Sequence, residues 1–172
     1  LGDTVYLNEP DWSSWTGILQ RWTHSRSLPH MRGLLASTPN YFIWDDHDYG
    51  PNNSGWNFWN KGQTTDAFKL FTGNPSEGLP SVPGVFSFFI YGDANFYLLD
   101  NRTYREGDEH LKPFDRERNL LGMDQVDWLI SSLKYNQGQA TEGYAPSYPA
   151  SFNIICIGNP VLGDNGAGDS YQ

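Results

Sequence analysis

Tyr41-Phe42-Ile43-Trp44-Asp45-Asp46-His47-Asp48-Tyr49-Gly50-Pro51-Asn52-Asn53 is the stretch on which the reading of this chain turns. Tyr41 to Trp44 is aromatic and β-branched, too short for a helix, and bounded upstream by Pro39-Asn40, so it reads as a buried strand. Three carboxylates and an imidazole then emerge at that strand's C-terminal end, where open α/β sheets place their ligands. Carboxylates so close together repel one another unless a cation or hydrogen-bond donors intervene. A solvated acidic turn of Asx type before Gly50-Pro51 is the plain alternative. Trp44 and Tyr49, flanking the cluster, favour a partly buried location and with it a metal site.

Gly2-Asp3-Thr4-Val5-Tyr6 supplies a second cue. Gly-Asp alone carries little information. Ahead of Asp-Asp-His-Asp it has the layout of a two-metal phosphoesterase, with one Asp bridging two cations and a later ligand beside a His. Leu1 to Leu7, Ile43 to Asn52, Tyr97-Leu98-Leu99-Asp100-Asn101-Arg102-Thr103-Tyr104-Arg105 and Leu121-Gly122-Met123-Asp124-Gln125-Val126-Asp127-Trp128-Leu129 occur in one order along the chain. In these four motifs the chain resembles the PhoD-like (alkaline phosphatase D) branch of the calcineurin-like metallophosphoesterases. The family's first metal-binding strand and its closing Gly-Asp-Arg-His type motif are absent, so the chain is expected to be the central part of a larger enzyme.

The resemblance implies a PhoD-like phosphomonoesterase or phosphodiesterase in which two metal ions activate water. The ions would be drawn from Fe, Ca, Mn, Mg or Zn, the substrate would be a small phosphoester, and the protein would be exported. Asp3 carries over as the bridging carboxylate, and its hard oxygen suits Mn²⁺, Ca²⁺, Mg²⁺ or ferric iron. Tyr6 either supplies a phenolate to iron or packs as an aromatic. Asp46 stands where the wider superfamily has a metal-binding Asn. His47 would hydrogen-bond the phosphate or protonate the leaving oxygen. Asp45 and Asp48 are expected to orient His47 and bound water, and Asn52 or Asn53 is a further candidate contact. Arg102 and Arg105 either fork onto phosphate or neutralise Asp100 and Glu106. Arg21, His24 and Arg26 form a basic cluster, read as a solvated helix end before a substrate-facing patch. His30 and His110 are taken as surface residues. Gly158-Asn159-Pro160 repeats a Gly-Asn signature, but with Pro where His is needed, and is taken as a strand-exit turn.

Composition sets outer bounds. The chain's 172 residues suit a single core, and the resemblance implies an incomplete domain over residues 1–172. Aromatics make up 16 %, which excludes a disordered segment. A net charge of −9 disfavours nucleic acid as a partner. No apolar run reaches the ~18 residues of a transmembrane segment. Cys156 is the one cysteine, so no internal disulfide forms, and Asn153 to Ile157 places it in a buried strand.

The remaining pattern is α/β, part of a layered sandwich. Asp11-Trp12-Ser13-Ser14 opens a helix with Trp15, Ile18, Leu19 and Trp22 on one face. Pro29 opens a second helix. Asn52 to Gln63 reads as an ordered loop and Thr65 to Thr72 as a short helix. Val85 to Tyr91 and Asn95 to Leu99 form a hairpin about Gly92-Asp93-Ala94. Met123 to Leu133 is a helix with Val126, Leu129, Ile130 and Leu133 inward, and Phe152 to Ile157 a buried strand before a glycine-rich tail. Two other function classes fit the sequence. One is a non-catalytic fragment or binding module on a phosphatase scaffold. The other is a carbohydrate-binding surface of Trp12, Trp15, Trp56 and Trp59.

Overall fold

The computed structural model describes residues 2–106, 119–136 and 150–159. His110 and the tail from Pro160 onward lie outside them. The described chain is α/β. After a 3₁₀ turn at Asp11–Ser13 come α1 (Trp15–Ser27), α2 (Pro29–Ser37), α3 (Asp46–Tyr49) and α4 (Lys61–Thr72). The strands are β1 (Ser87–Tyr91), β2 (Ala94–Leu99) and β3 (Phe152–Ile157), with α5 (Met123–Asn136) between the last two.

Local signals explain most of these boundaries. The Ser14 hydroxyl accepts the Gly17 N–H at 3.1 Å and caps α1. Ile18 and Trp22 are buried from its inner face, while Trp15 stays exposed. Pro29 starts α2 at a position whose N–H would be unpaired anyway. Gly73, at φ 64°, ends α4 in the left-handed conformation that glycine adopts without cost. That helix begins at Lys61, four residues before the expected start at Thr65. Its first turn, Lys-Gly-Gln-Thr, carries no apolar period and is invisible to pattern reading.

The sheet has the order β1-β2-β3, antiparallel and then parallel. Tyr91 pairs with Ala94 across Gly92-Asp93, confirming the hairpin. Because β2 and β3 are parallel and Leu99 pairs with Ile157, Asp100-Asn101 and Gly158-Asn159 leave the sheet side by side. Two expectations need correction here. Strand β3 is not buried: Phe152 is 60 % exposed, Ile154 and Ile155 are exposed, and Cys156 is half-buried, because β3 ends the described sheet. In α5, Ile130 points outward, and the buried residue is Gln125. Its amide brackets Asp100, accepting that residue's N–H and donating to its carbonyl, both at 2.8 Å.

Tyr41 to Trp44 is extended and its Ile43 and Trp44 are buried, but it is not a strand. The side-chain amide of Asn74 takes the place of a neighbouring strand. It accepts the Phe42 N–H at 2.9 Å and donates to the Phe42 carbonyl at 2.7 Å. The Gly2 N–H reaches the Ile43 carbonyl at 3.0 Å. Beneath this segment lies the core of Val5, Leu7, Ile18, Trp22, Trp44, Tyr49, Phe58 and Phe68. Trp44 meets Tyr49 edge-on at 5.0 Å and Phe68 at 5.1 Å, contacts that hold the end of the segment rigidly below Asp45.

Candidate metal centre

Helix α3 is a single turn, and that shortness sorts its side chains. Asp48 is fully buried and accepts the Val5 N–H at 2.7 Å and the Thr4 hydroxyl at 2.9 Å. Its other oxygen accepts the Asp45 N–H at 3.0 Å, half of a capping box. The Leu7 N–H bonds the His47 carbonyl at 3.0 Å. These bonds lay residues 4–7 along α3 and bring Asp3 to Asp46 and His47.

One ligand atom from each of Asp3, Asp46 and His47 lies within 4.8 Å of the others. Asp46 is held from two sides: the His47 N–H reaches one carboxylate oxygen at 3.0 Å and the Asn53 N–H the other at 2.7 Å. Asp3 and Asn53 are the non-glycine residues with positive φ among those described, at 49° and 58°. Both stand at this centre, where stored backbone strain commonly marks a functional site. Asp3 uses one oxygen to accept the Tyr6 phenol at 2.9 Å. Its Oδ1 is buried without any donor. A buried carboxylate oxygen with no partner is costly, and a cation would satisfy it. The two carboxylates form an oxygen donor set that suits a hard cation, with the His47 imidazole beside it.

Tyr6 is 52 % exposed and stacks on the His47 ring, with centroids 4.4 Å apart and planes 23° from parallel. Its hydrogen bond to the Asp3 carboxylate raises the phenol's pKa, and the charge of Asp3 adds to the shift. Without a cation, therefore, the phenol is a donor to Asp3.

Several expected roles do not match the placement. Asp45 and Asp48 do not hydrogen-bond the His47 ring; their carboxylates turn to other groups. Asp48 is committed to residues 4, 5 and 45 as above. Asp45 Oδ1 accepts Asn101 Nδ2 at 2.8 Å and Arg102 Nε at 2.7 Å, with Nη2 closing a buried ion pair. Burial raises the Asp45 pKa, opposed by the Arg102 charge. Arg102 is 0 % exposed, so its guanidinium is no open fork for phosphate. Nor does it neutralise Asp100: the Asp100 carboxylate is filled by Trp44 Nε1, the N–H groups of Val85, Arg102 and Thr103, and the Thr103 hydroxyl. Arg105 is also buried, and its carbonyl takes the Trp56 N–H at 2.8 Å. Asn52 is exposed, whereas its neighbour Asn53 touches the centre through its backbone.

The basic cluster of α1 disperses. Arg21 pairs with Asp11 at 2.8 Å, His24 is exposed, and the Arg26 guanidinium lies over Trp22 and Phe42, at 5.0 and 4.7 Å from their ring centroids. His30 is exposed as expected. Trp15, Trp56 and Trp59 are exposed, but Trp12 packs against the core, which removes one member of the carbohydrate-surface set.

The strand-exit turn at Gly158-Asn159 proves to belong to the surroundings of the centre. A Cβ on Gly158 would stand 2.6 Å from the Trp44 carbonyl, so only glycine allows this approach. Gly2, at φ +72°, comes equally close, with Asp45 Cβ 2.8 Å from where its own Cβ would be. Asn159 is buried against Asn101 and Arg102. The register of β2 and β3 creates that contact, and no local sequence signal announces it.

Fold and site together define an α/β protein with a carboxylate–histidine centre at the C-terminal end of its parallel strands, suited to hard cations. The sequence profile of the PhoD-like phosphatase family matches residues 14–145, and the chain belongs to that family. A solved structure of PhoD superposes over 99 % of this chain with a TM-score of 0.68 at 21 % identity. The chain spans 39 % of that PhoD chain. A search of curated proteins returned no match.

Proposed function

We propose that this chain is part of a metal-dependent phosphoesterase that hydrolyses small phosphoesters. Asp3 and Asp46 would hold the cations, Tyr6 would complete or orient that set, and His47 would serve as the acid–base group. The convergence of Asp3, Asp46 and His47, with Asp3 Oδ1 buried and unpartnered, carries the reading. Bound cations would supply an activated water and stabilise the charge that develops on the phosphoryl oxygens.

The chain's own groups have separable tasks. The N–H groups of His47 and Asn53 fix both oxygens of Asp46, so its carboxylate needs no reorganisation to bind. Tyr6 holds the His47 ring by stacking and the Asp3 carboxylate by its hydroxyl. His47, set in place beside the carboxylates, can give a proton to the departing oxygen. The net charge of −9 makes a polyanionic nucleic-acid substrate unfavourable. Kinship with PhoD supports export from the cell as a further part of this proposal. Among the described residues no helix is long and apolar enough to cross a membrane.

The test is a pair of substitutions in the full-length protein. Asp3→Asn should weaken Mn²⁺ binding in calorimetry and lower turnover of an aryl phosphate together. His47→Ala should retain Mn²⁺ but slow turnover by ~10²–10⁴-fold. Unchanged Mn²⁺ affinity in Asp3→Asn, or unchanged turnover in His47→Ala at full metal occupancy, would refute the respective role.

A further inference from the structure

Arg102 is a fully buried cation whose three hydrogen-bonding nitrogens reach three different stretches around the centre. Nε donates to Asp45 Oδ1 at 2.7 Å, and Nη2 bonds the same oxygen. Nη2 also donates to Asn159 Oδ1 at 2.8 Å, and Nη1 to the Ser54 carbonyl at 3.4 Å. Asp45 is the residue before Asp46 and caps the helix that carries His47. Ser54 follows Asn53, whose N–H holds the Asp46 carboxylate. Asn159 stands at the exit of β3, beside Gly158, which packs on Asp45.

We propose that Arg102 is a positioning residue: from beneath the centre it fixes α3 and the Asn53 loop, and through them the orientation of Asp46 and His47. This rests on the metal-centre reading above.

The arginine is itself held in place. Its N–H donates to Asp100 at 2.9 Å, and Asp100 also accepts Trp44 Nε1 at 2.8 Å, at the end of the segment that leads into α3. Asn101 Nδ2 adds a bond to the same Asp45 oxygen at 2.8 Å. A planar fork can address acceptors in three directions at once, whereas the ammonium of a lysine is a compact point charge that cannot span them. A buried ion pair is weak evidence for stability in itself. The convergence of this one on the supports of Asp46 is what indicates a positioning task.

The experiment uses the full-length protein with Arg102→Lys, and with an Arg102→Gln/Asp45→Asn double variant that leaves no lone buried charge should the first fail to fold. Folded samples are compared for Mn²⁺ affinity by calorimetry, for kcat and KM on an aryl phosphate at saturating Mn²⁺, and for inhibition by inorganic phosphate. The expected result is a ~10–100-fold loss in Mn²⁺ affinity or kcat, the usual cost of disturbing residues behind a metal's ligands, with phosphate inhibition unchanged. A raised KM and weaker phosphate inhibition at normal kcat would mean direct substrate contact and overturn the inference. A lowered Tm with Mn²⁺ affinity and kcat intact, in either variant, would reduce Arg102 to a structural role and overturn it equally. Mn²⁺ binding to the wild type that Asp3→Asn and Asp46→Asn leave unaltered would remove the metal-centre reading itself, and this inference with it, whatever Arg102 does.

Discussion

Asp45, Asp48 and Asp100 form one group of acids in this molecule, and Asp3 and Asp46, with His47, form the other. The first group is buried and saturated with donors: Asp100 alone accepts five hydrogen bonds and Asp48 three. The second keeps the buried Oδ1 of Asp3 unpaired, has Asp3 and the adjoining Asn53 at positive φ and borders on solvent through Tyr6. Within four consecutive residues the chain alternates between the groups, because a single helical turn sends Asp45 and Asp48 inward and leaves Asp46 and His47 at the centre. A run of acids in sequence is thus two structures. One is a frame whose carboxylates are filled by donors; the other is a site in which Asp46 is held by backbone N–H groups while Asp3 keeps one buried oxygen without a donor.

The sharpest way to break this comparison is Asp100→Ala. It would leave Trp44 Nε1 and the N–H groups of Val85, Arg102 and Thr103 buried without their acceptor, at about 1–3 kcal/mol for each such group. The total should exceed ~4 kcal/mol, a loss rarely reached by single substitutions. Urea unfolding, or failure to recover folded protein, is the readout. A loss below about 1 kcal/mol, the centre of the ordinary range, would show that the frame is not a frame.

A smaller effect follows from Asp48. Burial pushes its carboxyl up to about 6 against the three donors that favour its charge. The folded state therefore holds this proton more tightly than the unfolded chain, where the ordinary value of 3.8 applies. The contribution to stability is full below the unfolded value and is lost as pH rises through the folded one. The stability advantage of the metal-free wild type over Asp48→Asn should shrink between about pH 4 and pH 6 and then level off. An advantage independent of pH across that window would contradict the burial argument and bring Asp48 closer in character to Asp3 and Asp46.

The division between these groups was only partly legible in the sequence. The Gly92-Asp93 turn and the period of Trp15, Ile18 and Trp22 give the hairpin and α1, because each depends on neighbours in the chain. Tyr41 to Trp44 has the composition of a strand, yet Asn74, more than thirty residues away in sequence, takes over its hydrogen bonds. The proximity of Asp3 to Asp46 and His47 was anticipated from motif order. That Asp45 would turn to Arg102, Asn101 and their neighbour Asn159 was not, since the parallel register of β2 and β3 makes that cluster. Asn53 contributes a backbone N–H, a role that no side-chain pattern can reveal.

The smallest effect, and the one that tests the other side of the comparison, belongs to Tyr6→Phe. The substitution keeps the ring stacked on His47 and removes only the hydroxyl that donates to Asp3 at 2.9 Å. At 52 % exposure, Tyr6 exchanges that bond for water at little cost. Stability of the metal-free protein should change by no more than roughly 0.5 kcal/mol, as for surface substitutions in general. Mn²⁺ affinity, in contrast, should respond, because Asp3 loses the group that orients it and the centre loses an oxygen that a cation could recruit. The pairing of a near-zero stability change with a measurable loss of Mn²⁺ binding is what an incomplete site requires. A stability loss well above about 1 kcal/mol, with Mn²⁺ binding untouched, would instead mark Tyr6 and Asp3 as part of the frame. The acids of this chain would then form one group, and the separation of structure from chemistry drawn across Asp45 to Asp48 would fail.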